Sequence, residues 1–183
     1  MPSYWIMPQA DLDVPLPKDQ EHPLSESFYG LIGGGTSTLF DAFPPVFTQV
    51  QELAGVDVDS LLPLYFSARM TDYADRPAEI ERVAKDLKLA RDRFRALYEA
   101  LLARPAFARE LVLPAEGYAP DRAYFEDIGG RPAPPREQWE IDAYGDEVEF
   151  DEEPSFGADL RFVLRFLDHA AARGASKFWF LGR

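Results

Sequence analysis

Apolar residues recur at helical spacing over the longest patterned stretch of this chain, residues 77–103. The apolar positions alternate spacings of three and four, which predicts one continuous helix with a single apolar stripe. The members of that stripe are Ile80, Val83, Leu87, Ala90, Phe94, Leu97 and Leu101. Asp75 is the expected cap of this helix, and Pro77 falls in its first turn.

The same spacing predicts two further helices. One covers residues 159–173, is capped by Ser155 or Asp159, and ends at Gly174. The other covers residues 46–54 and stops at Gly55.

Strand patterns occur at both ends of the chain and before the last helix. Residues 3–7 predict a short strand stopped by Pro8, and residues 177–181 are apolar on both faces, as in a central strand. Residues 138–151 alternate apolar and polar positions around Tyr144-Gly145-Asp146, which predicts a hairpin with one acidic face. Residues 61–70 are compatible with a strand or a buried turn.

Prolines punctuate what remains. They predict an extended arm or loop over residues 8–27 and irregular chain over residues 105–136. A length of 183 residues suits one domain. We therefore expect residues 1–183 to form a single α+β domain, in which the long central helix and the C-terminal helix pack on a small, mostly antiparallel sheet.

Charge is distributed very unevenly along the chain. Ten carboxylates and no Lys or Arg lie from Glu137 to Asp159, within a net charge of −13. Such a run is either a solvated face or a docking surface for something positive. Its sign argues against binding to nucleic acid or to an anionic membrane.

Aromatic residues within the predicted hairpin make docking the sharper of these two interpretations. Aromatic rings among carboxylates bind Lys and Arg through charge pairing and cation–π attraction. The predicted contacts with a basic protein partner are Trp139, Glu140, Asp142, Tyr144, Asp146, Glu147 and Glu149. This would be a non-enzymatic role like that of immunity proteins or inhibitors. The alternative is a charged sheet edge that prevents aggregation.

A glycine-rich segment, residues 30–38, offers a second function, either binding of an anion or small molecule or an enzymatic site. From Gly30 to Gly35 it has the glycine spacing of a phosphate loop, but Thr36 replaces the lysine that contacts phosphate. Backbone amides ahead of a helix can still hold an anion. The candidate residues are Gly33, Gly34, Gly35, Thr36 and Thr38. A flexible turn is the other interpretation of this segment.

Other chemistry is weakly represented. His169 has no His, Asp or Glu three or four residues away, so it is not one of a helical pair of metal ligands, and we predict no metal site and no cofactor. A role for His169 beside the glycine-rich segment and an oligomerisation role for the 77–103 helix both stay open. Cysteine is absent, and we expect neither a signal peptide nor a membrane helix, which favours a cytoplasmic location.

Overall fold

The computed structural model describes residues 4–8, 25–32, 46–61, 65–66, 84–113, 121–130 and 155–182. Helices dominate these ranges. The α-helices are α1 (Glu26–Ile32), α2 (Val46–Ala54), α3 (Leu87–Leu102), α4 (Arg122–Glu126) and α5 (Phe156–Ala172). Single 3₁₀ turns occur at Asp59–Leu61 and Phe107–Arg109.

The sheet is organised around its C-terminal strand. Strand β4 (Lys177–Gly182) pairs antiparallel with β1 (Tyr4–Pro8) on one side. On its other side it pairs parallel with β2 (Tyr65–Phe66) and antiparallel with β3 (Lys85–Asp86). The predicted central position of the last strand is confirmed. The described residues are thus mostly helical with a small, largely antiparallel sheet, which is compatible with the α+β class.

The long central helix begins later than its apolar pattern predicts. Lys85 and Asp86 pair with Phe178 and Lys177 of β4, and the helix starts at Leu87. The Asp86 side chain caps it by accepting a hydrogen bond from the backbone N–H of Leu89 at 2.6 Å. Hydrogen bonding to β4 therefore overrides helical periodicity at residues 85–86, while residues 67–83 lie outside the described ranges.

The apolar stripe of α3 lies inside the protein. Five of its members, Leu87, Ala90, Phe94, Leu97 and Leu101, are at most 2% exposed. They belong to the same core cluster as the apolar face of α5, which includes Leu160, Val163 and Leu167. Burying each large side chain contributes about 1.5–3 kcal/mol. The described part of the stripe is therefore covered by the chain's own core.

Helix α5 matches the predicted C-terminal helix with a small shift at its start. Ser155 is the N-cap, and its hydroxyl accepts from the backbone N–H of Ala158 at 3.1 Å. Helical residues begin at Phe156, so Asp159 is inside the first turns and does not cap the helix. The helix ends at Ala172, and Gly174 adopts a positive φ of 85° just beyond it.

Helix α2 occupies the predicted residues 46–54, and Gly55 follows with φ of 65°. Two buried glutamines fasten it to its surroundings. The Gln49 amide donates to the Val112 carbonyl at 3.0 Å and accepts from the Val112 N–H at 2.8 Å. Gln51 accepts from the N–H of Val58 at 2.6 Å.

Two segments expected to be irregular contain helix. Glu26 and Ser27, at the end of the expected arm, belong to α1, and Pro8 lies within β1. Residues 122–126 form α4, because the Asp121 side chain caps the backbone N–H of Tyr124 at 3.1 Å. The predicted 138–151 hairpin and residues 9–24 of the predicted arm fall outside the described residues.

Candidate functional site

A buried carboxylate joins three helices at the centre of the described structure. Asp159 of α5 accepts from the Ser25 N–H at 3.1 Å, from the Ser25 hydroxyl at 2.5 Å and from the Tyr124 hydroxyl at 2.6 Å. Ser25 immediately precedes α1, and Tyr124 belongs to α4. We call these three residues the Asp159 cluster.

The Ser25 hydroxyl has a second role. It accepts from the backbone N–H of Phe28 at 3.0 Å and so caps the first turn of α1. Its proton is directed to Asp159, and the Tyr124 oxygen lies 3.4 Å away. One side chain therefore both starts α1 and fixes it to α5.

Burial dominates the ionisation of the Asp159 cluster. Removal from water raises the pKa of Asp159 above its ordinary value, although the hydrogen bonds from Ser25 and Tyr124 act in the opposite direction. Burial, and then the Asp159 charge, raise the pKa of the Tyr124 phenol well above its ordinary value. The phenol thus stays protonated and donates to the carboxylate.

Aromatic rings pack around this cluster. The Tyr124 ring lies 6.0 Å from Phe156 and 5.1 Å from Phe125, centroid to centroid. Phe28 of α1 also packs on Phe156, at 6.0 Å. Tyr124 and Asp159 are each 8% exposed. Buried polar groups that accept and donate in this way stabilise one arrangement of helices, and this geometry suits an internal fastening better than contact with a substrate.

A second feature is the pair of chain stretches that flank the acidic run. Residues 127–130 precede the run. Residues 155–161, which contain its last member Asp159, follow its other nine carboxylates, and the two stretches are in direct contact. Arg161 donates to the Ile128 carbonyl at 2.6 Å, and the Ser155 hydroxyl approaches the Asp127 carbonyl at 3.5 Å. We call these stretches the stems. The described chain before residue 131 and the described chain after residue 154 therefore meet at one place.

Close backbone contact and an aromatic residue strengthen the stems. A Cβ on Gly157 would lie 2.2 Å from the Ile128 carbonyl oxygen, so only glycine allows this approach. The Arg161 guanidinium also donates to the Tyr98 hydroxyl of α3 at 3.0 Å and lies 5.8 Å from the centre of the Tyr98 ring. The stems are thus anchored to the long central helix.

The sequence-predicted binding residues lie outside the described residues. All seven predicted partner contacts lie between Gly130 and Ser155, outside the described residues. The predicted anion-binding residues, Gly33 to Thr38, lie outside them as well. Gly30, however, is part of α1 and so belongs to a helix, which removes it from the loop that the phosphate-type spacing requires.

One member of the acidic run is placed differently from the prediction. Asp159 was expected on a solvated face, but it is buried and bonded within the Asp159 cluster. The signal was present in the sequence, because Asp159 shares helical spacing with the buried residues Val163 and Phe166. Ser25 and Tyr124 carry no comparable signal, since their roles depend on contacts 134 and 35 positions along the chain.

His169 is half-buried on α5, with its Nδ1 atom 2.9 Å from an Arg173 guanidinium nitrogen. The described residues contain no group of three or more His, Asp or Glu side chains arranged to hold a metal ion. Within the same ranges, no helix combines the length and apolar character needed to cross a membrane.

Comparisons with known proteins leave the function to be argued from the molecule alone. No protein-family model matches the chain, and searches of curated proteins and of solved structures find no match.

Proposed function

We propose that this protein binds a basic protein partner through the run of carboxylates at residues 137–153, which we call the acidic segment. The observation that carries the proposal is the charge pattern: nine carboxylates and no Lys or Arg occur in those 17 residues. Asp159 is not one of these nine carboxylates, because it is buried in the Asp159 cluster.

The stems support a docking role. Because the chain enters and leaves the 131–154 stretch at neighbouring points, the acidic segment is tethered at both ends to the folded protein. A tether of this kind lowers the conformational entropy that binding removes, which favours affinity. It is also the arrangement that a hairpin over residues 138–151 requires.

The charges would act before contact and the aromatic rings after it. Dense negative charge speeds encounter with a positive partner, and salt screens that effect. At contact, Trp139 and Tyr144 would receive Lys or Arg side chains through cation–π attraction. Glu140, Asp142, Asp146, Glu147 and Glu149 would pair with the same cations.

Affinity capture with a matched pair of variants tests the proposal. The first variant carries Glu140→Gln, Asp142→Asn, Glu147→Gln and Glu149→Gln. The control loses four carboxylates at exposed positions of the described helices, through Glu52→Gln, Asp92→Asn, Glu99→Gln and Glu126→Gln. Each protein, and the wild type, is immobilised and exposed at low salt to extract of the source cells, then eluted at high salt.

The expected result is a basic protein retained by the wild type and the control but lost from the acidic-segment variant. Its association rate with the wild type should fall severalfold from low to physiological salt. Equal retention by all three proteins, capture of no basic protein, or a rate independent of salt would each contradict the proposal.

A further inference from the structure

Helix α1 depends on its docking for stability. It has seven residues, and helices this short are marginal in water on their own. Its described buried side chains are Phe28 and Ile32, both fully removed from solvent. Its cap, the Ser25 hydroxyl, is simultaneously bonded to Asp159. Loss of the contact with Asp159 therefore weakens both the docking of α1 and the start of the helix itself.

We propose that the Asp159 cluster is a pH-responsive clasp, which holds α1 against α4 and α5 more tightly as the pH falls. The proposal stands on the geometry of the cluster. Three donors, two from Ser25 and one from Tyr124 of α4, converge on one buried carboxylate of α5, which therefore connects the start of α1 to both helices. It is independent of docking by the acidic segment.

The direction of the pH response follows from the environment of Asp159 in the two states. With α1 docked, the carboxyl is buried and its pKa is raised. With α1 detached, the carboxyl gains access to water and its pKa returns toward the ordinary value. The docked state therefore binds the proton more strongly, so docking is strongest below the ordinary pKa and weakens as the pH rises through the raised one.

Charged neighbours do not supply an alternative cause of the pH response of Asp159. Among the described residues, the groups that face Asp159 are Ser25, just before α1, and Tyr124 of α4, and no described cation pairs with it. Arg122 of α4 donates instead to the carbonyls of Ala108 and Leu111. Farther along α5, Arg161 donates to Tyr98 and Ile128, and Asp168 binds Arg95 of α3. From α2, the ring of Phe47 packs on Phe156.

Protonation leaves the hydrogen bonds of the cluster intact. Both hydroxyls are rotors that can donate or accept. A protonated Asp159 can donate to the Ser25 or Tyr124 oxygen while its other oxygen accepts from the Ser25 N–H. Acidification thus removes the cost of a buried charge without leaving a buried polar atom unsatisfied.

Amide hydrogen exchange of the full-length protein measures the clasp directly. The Ser25 N–H donates to Asp159 and the Phe28 N–H donates to Ser25, so both amides report its opening. Their protection, corrected for intrinsic exchange, is compared with that of amides in the middle of α5 from about pH 4 to about pH 7. We expect the ratio of the Ser25 and Phe28 protection factors to those of the mid-α5 amides to fall by at least about threefold over this pH range. Its limiting slope should be about tenfold per pH unit.

Three variants assign the response to Asp159. Asp159→Asn cannot titrate and should give a ratio independent of pH. Tyr124→Phe removes a hydrogen bond that lowers the Asp159 pKa, so the fall should move to higher pH; this variant keeps the proposal testable if Asp159→Asn does not fold. Asp168→Asn, at an exposed position of the same helix, should keep the wild-type profile.

A ratio independent of pH in the wild type would overturn the clasp. So would a wild-type profile in a folded Asp159→Asn variant, or an unshifted midpoint in Tyr124→Phe.

Discussion

At the scale of single residues, Asp159 shows how a charge is accommodated on an apolar helix face. Its neighbours on that face, Phe156 and Val163, are fully buried. Three donors satisfy the carboxylate, yet the raised pKa shows that desolvation outweighs them. Ionisation of Asp159 therefore lowers the stability of the folded protein, while its hydrogen bonds fix the position of Ser25.

Substitution of Gly157 by alanine should reduce the free energy of unfolding strongly, although it adds only one methyl group. Gly157→Ala places a Cβ 2.2 Å from the Ile128 carbonyl oxygen and 2.8 Å from the Ile128 Cα. Backbone must move to relieve this overlap, and the same carbonyl accepts from Arg161. We expect a loss of about 1–3 kcal/mol in the free energy of unfolding, measured by denaturant titration.

Gly129→Ala is the matched control for this prediction. It lies in the other stem, residues 127–130, and a Cβ there would have nothing within 4 Å. Its unfolding free energy should stay close to that of the wild type. Equal losses for the two substitutions would show that close packing of the stems is not what requires Gly157.

At the scale of elements, polar side chains set where the described helices begin. Asp86, Asp121 and Ser155 each accept from the backbone N–H three residues ahead, at α3, α4 and α5 respectively. At α3 the cap is also the last residue of β3, so one aspartate ends a strand and starts a helix.

Removing the cap of α3 should destabilise the protein measurably. Asp86→Ala deletes the acceptor of the Leu89 N–H and should cost about 1 kcal/mol in the free energy of unfolding. Asp92→Ala, at an exposed position inside the same helix, should be neutral or slightly stabilising because alanine favours helix. Chemical denaturation of both variants checks the pair, and a cost shared by both would argue against capping.

Elements whose patterns are local were predictable from the sequence. Helix α2 and most of α5 follow from apolar spacing closed by Gly55 and Gly174. The start of α3 was predicted ten residues too early, because residues 85–86 are taken up by hydrogen bonds to β4, which lies some ninety positions away. Helix α1 was missed, since its cap and its docking both depend on Asp159.

At the scale of the whole molecule, basic and acidic residues are concentrated in different parts of the chain. The two elements that contribute most residues to the described core, α3 and α5, carry Lys and Arg on their outer faces, including Arg95, which forms an ion pair with Asp168 at 2.7 Å. The acidic segment carries nine of the 32 carboxylates and no base. Repulsion within that segment should raise the energy of the compact state.

Salt should therefore stabilise the protein. Raising NaCl to about 0.2 M shortens the Debye length below about 10 Å and should increase the free energy of unfolding by on the order of 0.5–1 kcal/mol. The four-substitution variant of the acidic segment should respond less than the wild type in parallel denaturant titrations. The same salt response in both would place the repulsion elsewhere in the chain.

The candidate site was predictable only in part. Acidic character and aromatic content are properties of composition, so residues 137–153 stood out without a structure. That residues 127–130 contact residues 155–161 was not predictable, because the contact between Ile128 and Gly157 is a matter of packing. Assembly of the Asp159 cluster was likewise out of reach, since Ser25 and Tyr124 carry no spacing signal and lie 134 and 35 positions from Asp159 along the chain.

The amino-acid sequence alone determined the apolar faces of the main helices, the strands near residues 3–7 and 177–181, and the concentration of negative charge. These depend on residues close together along the chain, whose periodicity or composition is visible directly. Only the tertiary structure decided that Ser25 and Tyr124 bond to Asp159, that α3 starts at Leu87 and that the stems lie together. Burial and strand pairing are settled by which distant residues compete for the same space and the same hydrogen bonds.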